Sequence, residues 1–378
     1  RLKRLVSLWI VLFLFIPFQV SAQEATSFVA LDGTTGQIIE AANEQSPEGV
    51  GEVVQLMTIY VLEKKKEEGI WKEEDIVYIS PRVAQIAKLF ASTERVPKRW
   101  VAGNAYKASE LYTLLLVEQS KEAAIALAEH VASSERQFLQ WMEEEAKALQ
   151  LDYTRFVNVS GVSNEVLQSF RPEGTGATEE NMMTALSVAT LTYDLLQRYP
   201  HITEETKRPM AVVERKGKVP LYSTNPNPYI EESPEKDALR GVEGLRVGTS
   251  DFSGESAVIT AKKGRYRFIT VVLHAQDDEE RHHVIRRWIT NDFQNVTAFE
   301  IVSKGESLDH IQWHSIEHTP QQVAVYAKEP LYGLTLETSY KLKWKPIKQK
   351  DWTGSLQKGT VVGTVELIRA DGTPLHYV

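Results

Sequence analysis

The sequence contains no cysteine, and this absence excludes several kinds of chemistry. With none among its 378 residues, the chain can form no disulfide bond, no thiolate metal site and no cysteine nucleophile. The absence does not indicate a cytoplasmic protein, because exported proteins also lack cysteine where the cell does not rely on disulfide bonds.

The sequence also lacks an excess of basic residues. Its 43 lysines and arginines face 51 acidic residues, which gives a net charge of -8. Phosphate binding needs a basic surface, so nucleic acid is not an expected partner. Hydrophobic residues make up 42% and charged residues 25% of the chain, which is ordinary for a globular protein. The length favours one large and one small domain.

Residues 1–22 have the pattern of a signal peptide. The basic "RLKR" precedes the apolar "LVSLWIVLFLFIPFQV", and Val20-Ser21-Ala22 gives a small-residue cleavage site. The apolar run is short for a membrane span and contains Pro17 near its end. We therefore expect export to the cell wall or the outer face of the cytoplasmic membrane. An uncleaved N-terminal anchor is the alternative, and peripheral membrane association stays open.

The remaining sequence divides into residues 26–296 and residues 297–378. In the first part, "SFVALDGTTGQIIEAANEQ" predicts a β-hairpin, Val53–Leu62 a buried helix, and Thr178 a cap for the helix that follows it. Strands return in "GVEGLRVGTS" and "ESAVITAKKGRYRFITVVLHA". This order predicts an α+β domain whose first and last strands share one sheet. From residue 297, short alternating runs predict a small all-β, sandwich-like domain.

The order of these segments resembles that of the D-alanyl-D-alanine carboxypeptidases, the low-molecular-mass penicillin-binding proteins. The matching segments are "ALDGTTGQIIEAAN", "QLMTIYVLE", "LLLVEQSKEAAIALAEH", "FVNVSGV", "VEGLRVGTSDFSG" and "RFITVVLHA". The resemblance implies a serine β-lactamase-like fold, in which helices flank a sheet and a helical subdomain adjoins it. It also implies serine-type removal of D-alanine from peptidoglycan stem peptides, without a cofactor or metal.

The first family motif is Ser-x-x-Lys at the start of a helix, where the lysine amine lies one turn from the serine hydroxyl and can take its proton. "LMT" at 56–58 fixes the register, so Glu52 stands at the serine position and Gln55 at the lysine position. A glutamate has no hydroxyl for a stable acyl ester, and a glutamine amide is no base.

The second and third family motifs have also lost chemical groups. In Ser-x-Asn, which relays protons and holds the substrate amide, the positions fall on Gln119 and Lys121. In Lys-Thr-Gly, which receives the substrate carboxylate on an edge strand, they fall on Arg246, Val247 and Gly248, followed by Thr249. We expect that strand, residues 246–249, to be the ligand-binding part of a degenerate site.

No catalytic site is therefore expected to be intact. The prediction is a non-catalytic family member that binds peptidoglycan stem peptides or scaffolds cell-wall proteins. The alternative is an active serine-type carboxypeptidase that trims peptidoglycan pentapeptide with rewired residues. Two other Ser-x-x-Lys sequences, at 233–236 and 355–358, do not open an apolar helix. Ser120 and Lys121 are adjacent, so on a helix their side chains point about 100° apart.

The replacements suggest an ion cluster in the former site. A carboxylate at a helix N-terminus is electrostatically favourable, and we hypothesise that Glu52 pairs with Lys121, Arg246 or both. The alternative is that these side chains face water independently.

Three histidines at steps of four, His310, His314 and His318, suggest a metal site. The surrounding alternation favours exposed strand histidines instead, so no metal is predicted.

Overall fold

The structure is a computed structural model that describes residues 26–91, 98–214, 219–264, 266–292, 296–308, 313–314, 322–335, 340–347, 358–369 and 378. The predicted signal peptide lies outside the described residues. Within those ranges, none of the helices has the length and apolar character needed to cross a membrane.

The helices alternate with short strands in the middle of the chain. The α-helices are α1 Gln55–Glu67, α2 Pro81–Phe90, α3 Ala108–Thr113, α4 Lys121–Ala132, α5 Glu135–Ala148, α6 Asn164–Leu167, α7 Ala185–Arg198, α8 Ile202–Thr206 and α9 Asp278–Arg287. The strands are β1 Ser27–Asp32, β2 Ile38–Ala42, β3 Pro47–Gly49, β4 Ile76–Tyr78, β5 Ala105–Lys107, β6 Met182–Thr184, β7 Met210–Val213, β8 Leu221–Thr224, β9 Val242–Ser250, β10 Gly254–Lys263, β11 Tyr266–Ala275, β12 Thr297–Val302, β13 Trp313–His314, β14 Gln322–Val323, β15 Leu331–Thr335, β16 Tyr340–Pro346 and β17 Gly363–Arg369.

The central sheet has five antiparallel strands in the order β2-β1-β11-β10-β9. Strand β1 pairs with β11, with Ser27 opposite Leu273. The prediction that the first and last strands of this part share one sheet is therefore confirmed. Strand β9 lies at one edge of the sheet, which leaves one side of its backbone free to face the helices.

The sheet separates two apolar cores. The larger core includes the apolar side chains of α1 from Leu56 to Leu62, which lie in the run predicted to be a buried helix. Its other members include side chains from other helices and from one face of the sheet. The smaller core lies around Trp288 and includes Phe28, Val272 and Ile285, so α9 packs there against the sheet.

The predicted helix start at Thr178 is wrong. Helix α7 begins at Ala185, and its cap is Thr184, whose hydroxyl accepts a hydrogen bond from the Ser187 amide. Upstream, β6 pairs with β3, and the carboxylate of Glu179 accepts a hydrogen bond from the Gly176 amide. This tertiary pairing of the backbone overrides the local capping signal.

Residues after 296 form paired strands. Within the described residues, β12 pairs with β15, β13 with β14 and β16 with β17, and the buried side chains include Val302, Leu308, Val325 and Val362. The boundary at 297 and a sandwich-like arrangement stay predictions. His310 and His318 lie outside the described residues. Among the residues the structure describes, no cluster of His, Asp and Glu could hold a metal.

Candidate functional site

Three backbone segments meet around Glu52, and glycines allow their close approach. Glu52 lies in a 3₁₀ turn, Gly51–Val54, that runs directly into α1. A Cβ atom on Gly161 would lie 2.5 Å from the Cα of Glu52, and one on Gly248 would lie 2.7 Å from its amide nitrogen. Gly161 also has a φ of 96°, a conformation that side chains disfavour. A side chain at Gly161 would push its loop away from the 3₁₀ turn that holds Glu52, and one at Gly248 would push β9 away from the same turn.

The carboxylate of Glu52 uses both of its oxygens. Its Oε1 lies 2.8 Å from the Lys121 Nζ, and the two side chains are 16% and 33% exposed. Its Oε2 accepts a hydrogen bond from the backbone N–H of Thr249 at 3.0 Å. The Lys121 Nζ also lies over the ring of Phe90, 5.7 Å from the centroid. The hypothesis that Glu52 pairs with a nearby cation is confirmed for Lys121, and the alternative of independent, water-facing side chains is wrong for this pair.

Gln55 ties the start of α1 to two other segments. Its fully buried side chain donates from Nε2 to the carbonyl oxygen of Ser160 at 2.8 Å and to that of Gln119 at 3.2 Å. An amide nitrogen with this role is a hydrogen-bond donor and not a proton acceptor. Gln55 therefore holds the segments together and supplies no base.

Gln119 lies in a tight turn between a π-helical segment, Leu114–Glu118, and α4. Its φ of 58° is left-handed, and its Oε1 accepts a long hydrogen bond of 3.4 Å from the Val247 amide. The next residue, Ser120, caps α4 by accepting from the Ala123 amide. Ser120 is therefore a structural cap, which agrees with its rejection as a nucleophile.

Arg246 is buried in β9 without a hydrogen-bond partner. The residue is 0% exposed, and its Nε, Nη1 and Nη2 atoms have no hydrogen-bond partner among the described residues. Burial lowers the pKa of its guanidinium to about 9, although Tyr112 and Glu52 oppose this shift electrostatically. The expected pairing of Glu52 with Arg246 does not occur as an ion pair. The reason is that the guanidinium lies inside the protein, whereas the Glu52 carboxylate is held by Lys121 and Thr249.

A buried tyrosine that the sequence did not single out also belongs to this region. The Tyr112 hydroxyl donates to the carboxylate of Glu63 in α1, which also contacts the His201 ring at 3.1 Å. Burial raises the pKa of Tyr112 well above its usual value, while Arg246 acts to lower it. The one sequence feature that could have pointed to Tyr112 was its partner Glu63, which lies two helical turns beyond Gln55 on the same helix.

The structure brings the predicted site residues together. Glu52, Gln55, Gln119 and Lys121 are linked by direct contacts, and β9 joins them through the amides of Val247 and Thr249. This arrangement supplies a cation, an edge strand and a pair of capped amide donors. It places a carboxylate and an amide where the resemblance implies a hydroxyl nucleophile and an amine base.

Sequence comparisons identify relatives over most of the chain. A model of the D-alanyl-D-alanine carboxypeptidase family matches residues 17–277. D-alanyl-D-alanine carboxypeptidase DacD of Escherichia coli strain K12 is 25% identical over 78% of this chain and 70% of its own length. DacF of Bacillus subtilis strain 168 is 24% identical over 94% of this chain and 84% of its own length.

Solved structures show the same fold. A peptidoglycan synthesis regulatory factor (PBP3) from Streptococcus pneumoniae has a TM-score of 0.74 and 26% identity, and the match covers 91% of this chain and 92% of that one. Penicillin-binding protein 5 from Haemophilus influenzae has a TM-score of 0.71 and 18% identity, with 96% of both chains covered. The α+β penicillin-binding protein fold expected from the sequence is therefore confirmed. The chain belongs to the D-alanyl-D-alanine carboxypeptidase family.

Proposed function

We propose that this protein is an exported, non-catalytic member of its family that binds peptidoglycan stem peptides without cleaving them. The observation that carries this proposal is the position and bonding of Glu52. Its carboxylate stands at the start of α1 and is held by Lys121 and the Thr249 amide. The predicted signal peptide, residues 1–22, supports an extracytoplasmic location at the cell wall or membrane surface.

The chemistry at the start of α1 argues against acyl transfer. Serine peptidases need a hydroxyl activated by an adjacent base, and Glu52 and Gln55 supply neither group. The carboxylate of Glu52 is also paired with Lys121. Losing nucleophile and base together leaves only binding groups and backbone donors.

Three features support retention of peptide binding. Strand β9 is an edge strand, and extended peptides bind such edges by adding a strand. Lys121, which is 33% exposed, gives the region a cationic side chain for an anionic peptide. Arg246 is buried without a partner, and proteins keep such costly groups most often at functional sites.

Acylation by a fluorescent penicillin tests the proposal. The purified protein should remain unlabelled under conditions in which an active family member is labelled to completion. Stoichiometric labelling would refute the proposal that the protein is non-catalytic and would support a rewired carboxypeptidase. The double variant Glu52→Ser with Gln55→Lys restores both groups of the first motif. Labelling of this variant alone would show that these two residues occupy the nucleophile and base positions.

Scaffolding of cell-wall proteins is the second candidate function. It is favoured by the occupied state of the β9 edge, where Glu52 and Gln119 already accept from both amides. Titration with a diacetyl-Lys-D-Ala-D-Ala peptide separates the candidates. Saturable binding supports the peptide-binding function, and its absence up to millimolar concentration leaves scaffolding as the better account.

A further inference from the structure

Two replaced residues cap the same strand edge. The N–H groups of Val247 and Thr249 point away from β10, since their acceptors are side chains from outside the sheet. Gln119 Oε1 accepts from Val247 at 3.4 Å, and Glu52 Oε2 accepts from Thr249 at 3.0 Å. Both acceptors stand at positions where the family resemblance implies serine. We call this pair of side chains, Glu52 and Gln119, the edge cap.

We infer that the edge cap is an internal competitor that a bound peptide must displace from β9, and that it selects peptides carrying a carboxylate. This inference rests on the proposed peptide-binding function. It assigns Glu52 and Gln119 as residues that set the affinity and specificity of peptide binding. It also makes the capped edge of β9 the state of the protein without peptide.

The geometry defines what a competing ligand must provide. Val247 and Thr249 are two residues apart, so their amides lie roughly 7 Å from each other along the strand. An extended peptide presents carbonyl oxygens at this same spacing on one edge. Such a peptide can replace both side-chain acceptors at once, whereas a small ligand with one carbonyl replaces only one of them.

The charge of the cap defines the second requirement. When Glu52 leaves, Lys121 loses the carboxylate that lies 2.8 Å from its Nζ, and its side chain is 33% exposed with that carboxylate in place. A partly buried cation is costly unless an anion pairs with it. A peptide with a carboxylate near Lys121 restores that pairing, but its amide-terminated analogue does not. The wild-type protein should therefore bind the acid at least about tenfold more tightly than the amide, which is the effect of one hydrogen bond to a charged group.

Variants of the cap residues test the competition. Glu52→Ala removes one acceptor and its charge. Gln119→Asn shortens the other acceptor while tolerating the left-handed backbone at φ 58°. Each should tighten binding of diacetyl-Lys-D-Ala-D-Ala by about fivefold to tenfold, because one internal hydrogen bond no longer has to be broken. Glu144→Ala removes an exposed negative charge from α5, outside the site, and should leave the affinity unchanged.

Calorimetric titration of the wild type and the three variants gives the first readout. Tighter binding by the two cap variants alone supports the inference. Equal affinities for all four proteins, with clear binding, would overturn the edge cap and leave the proposed function in place.

Amide hydrogen exchange without peptide gives a second readout that does not depend on binding. Exchange at Val247 should accelerate in Gln119→Asn, and exchange at Thr249 should accelerate in Glu52→Ala, each by about fivefold or more because the capping hydrogen bond is lost. Unchanged exchange in both variants would overturn the cap. Accelerated exchange without peptide binding by any of the proteins would support the cap as a closed edge but overturn stem-peptide binding and the selection inferred from it.

Discussion

Replacing Arg246 by methionine should make the protein more stable. Arg246 is fully buried and its guanidinium has no hydrogen-bond partner among the described residues. Burial lowers the pKa of this guanidinium from its usual value to about 9. At about 1.4 kcal/mol per pKa unit, this shift corresponds to a cost of about 5 kcal/mol for keeping the group charged in the folded state.

The pH range of this cost follows from the direction of the shift. The folded-state pKa lies below the unfolded-state pKa, so both states are protonated below about pH 9 and the cost is fully present there. Stability then rises with pH above that value, because the folded state releases its proton first. Methionine fills a similar volume without a charge, and such replacements of buried ionic groups stabilise by about 1–4 kcal/mol. We expect a gain in that range at pH 7.

Arg281 provides a matched control. It is 6% exposed, but its guanidinium pairs with Glu255 at 2.7 Å and also with Asp278. Removing one partner of a buried pair costs about 3–5 kcal/mol, so Arg281→Met should destabilise strongly. Urea unfolding at pH 7, followed by tryptophan fluorescence, measures both changes. A loss of stability in Arg246→Met, or equal effects of the two variants, would refute the reasoning about unpaired burial.

Two further predictions concern backbone crowding and pH. Gly161→Ala should lower the free energy of unfolding by about 2 kcal/mol or more, since its Cβ would lie 2.5 Å from the Glu52 Cα. Gly174→Ala is the control, because the φ of Gly174 is also positive but nothing lies within 4 Å of the added atom. This control should lower the free energy of unfolding by only about 1 kcal/mol. Similar losses in the two variants would contradict the crowding argument. Burial raises the pKa of Glu180, so the folded state binds that proton more tightly than the unfolded chain. The stability of the wild type relative to Glu180→Gln should therefore fall as the pH rises from about 4 to 8, and a relative stability that rises over this range in urea unfolding would contradict the assignment.

The sequence predicted those parts of the fold that depend on local periodicity. Most of the buried run from Val53 became α1, and the strands expected in "ESAVITAKKGRYRFITVVLHA" became the paired strands β10 and β11. These features follow from patterns within a few residues. The prediction at Thr178 was wrong because pairing between β3 and β6 decides where α7 starts, and a local cap signal cannot show that pairing.

The sequence predicted which residues come together at the candidate site, but not the hydrogen bonds that they form. The order of the motifs located Glu52 and Lys121, and the opposite charges indicated their pairing. The contacts of Gln119 with Val247 and of Glu52 with Thr249 join residues 128 and 197 positions apart, so no local pattern contains them. The complete burial of Arg246 could not be predicted from the sequence either, because arginine is rarely buried without a partner.

The edge cap has a consequence for association between copies of the protein. An edge strand with free N–H groups is a template on which another chain can add a strand, and such edges promote aggregation. In β9, the side chains of Glu52 and Gln119 already accept from the outward amides of Thr249 and Val247. A second copy would have to break these two bonds before it could pair there. The residues at the positions of the expected serines thus protect this sheet edge from pairing with another copy of the protein.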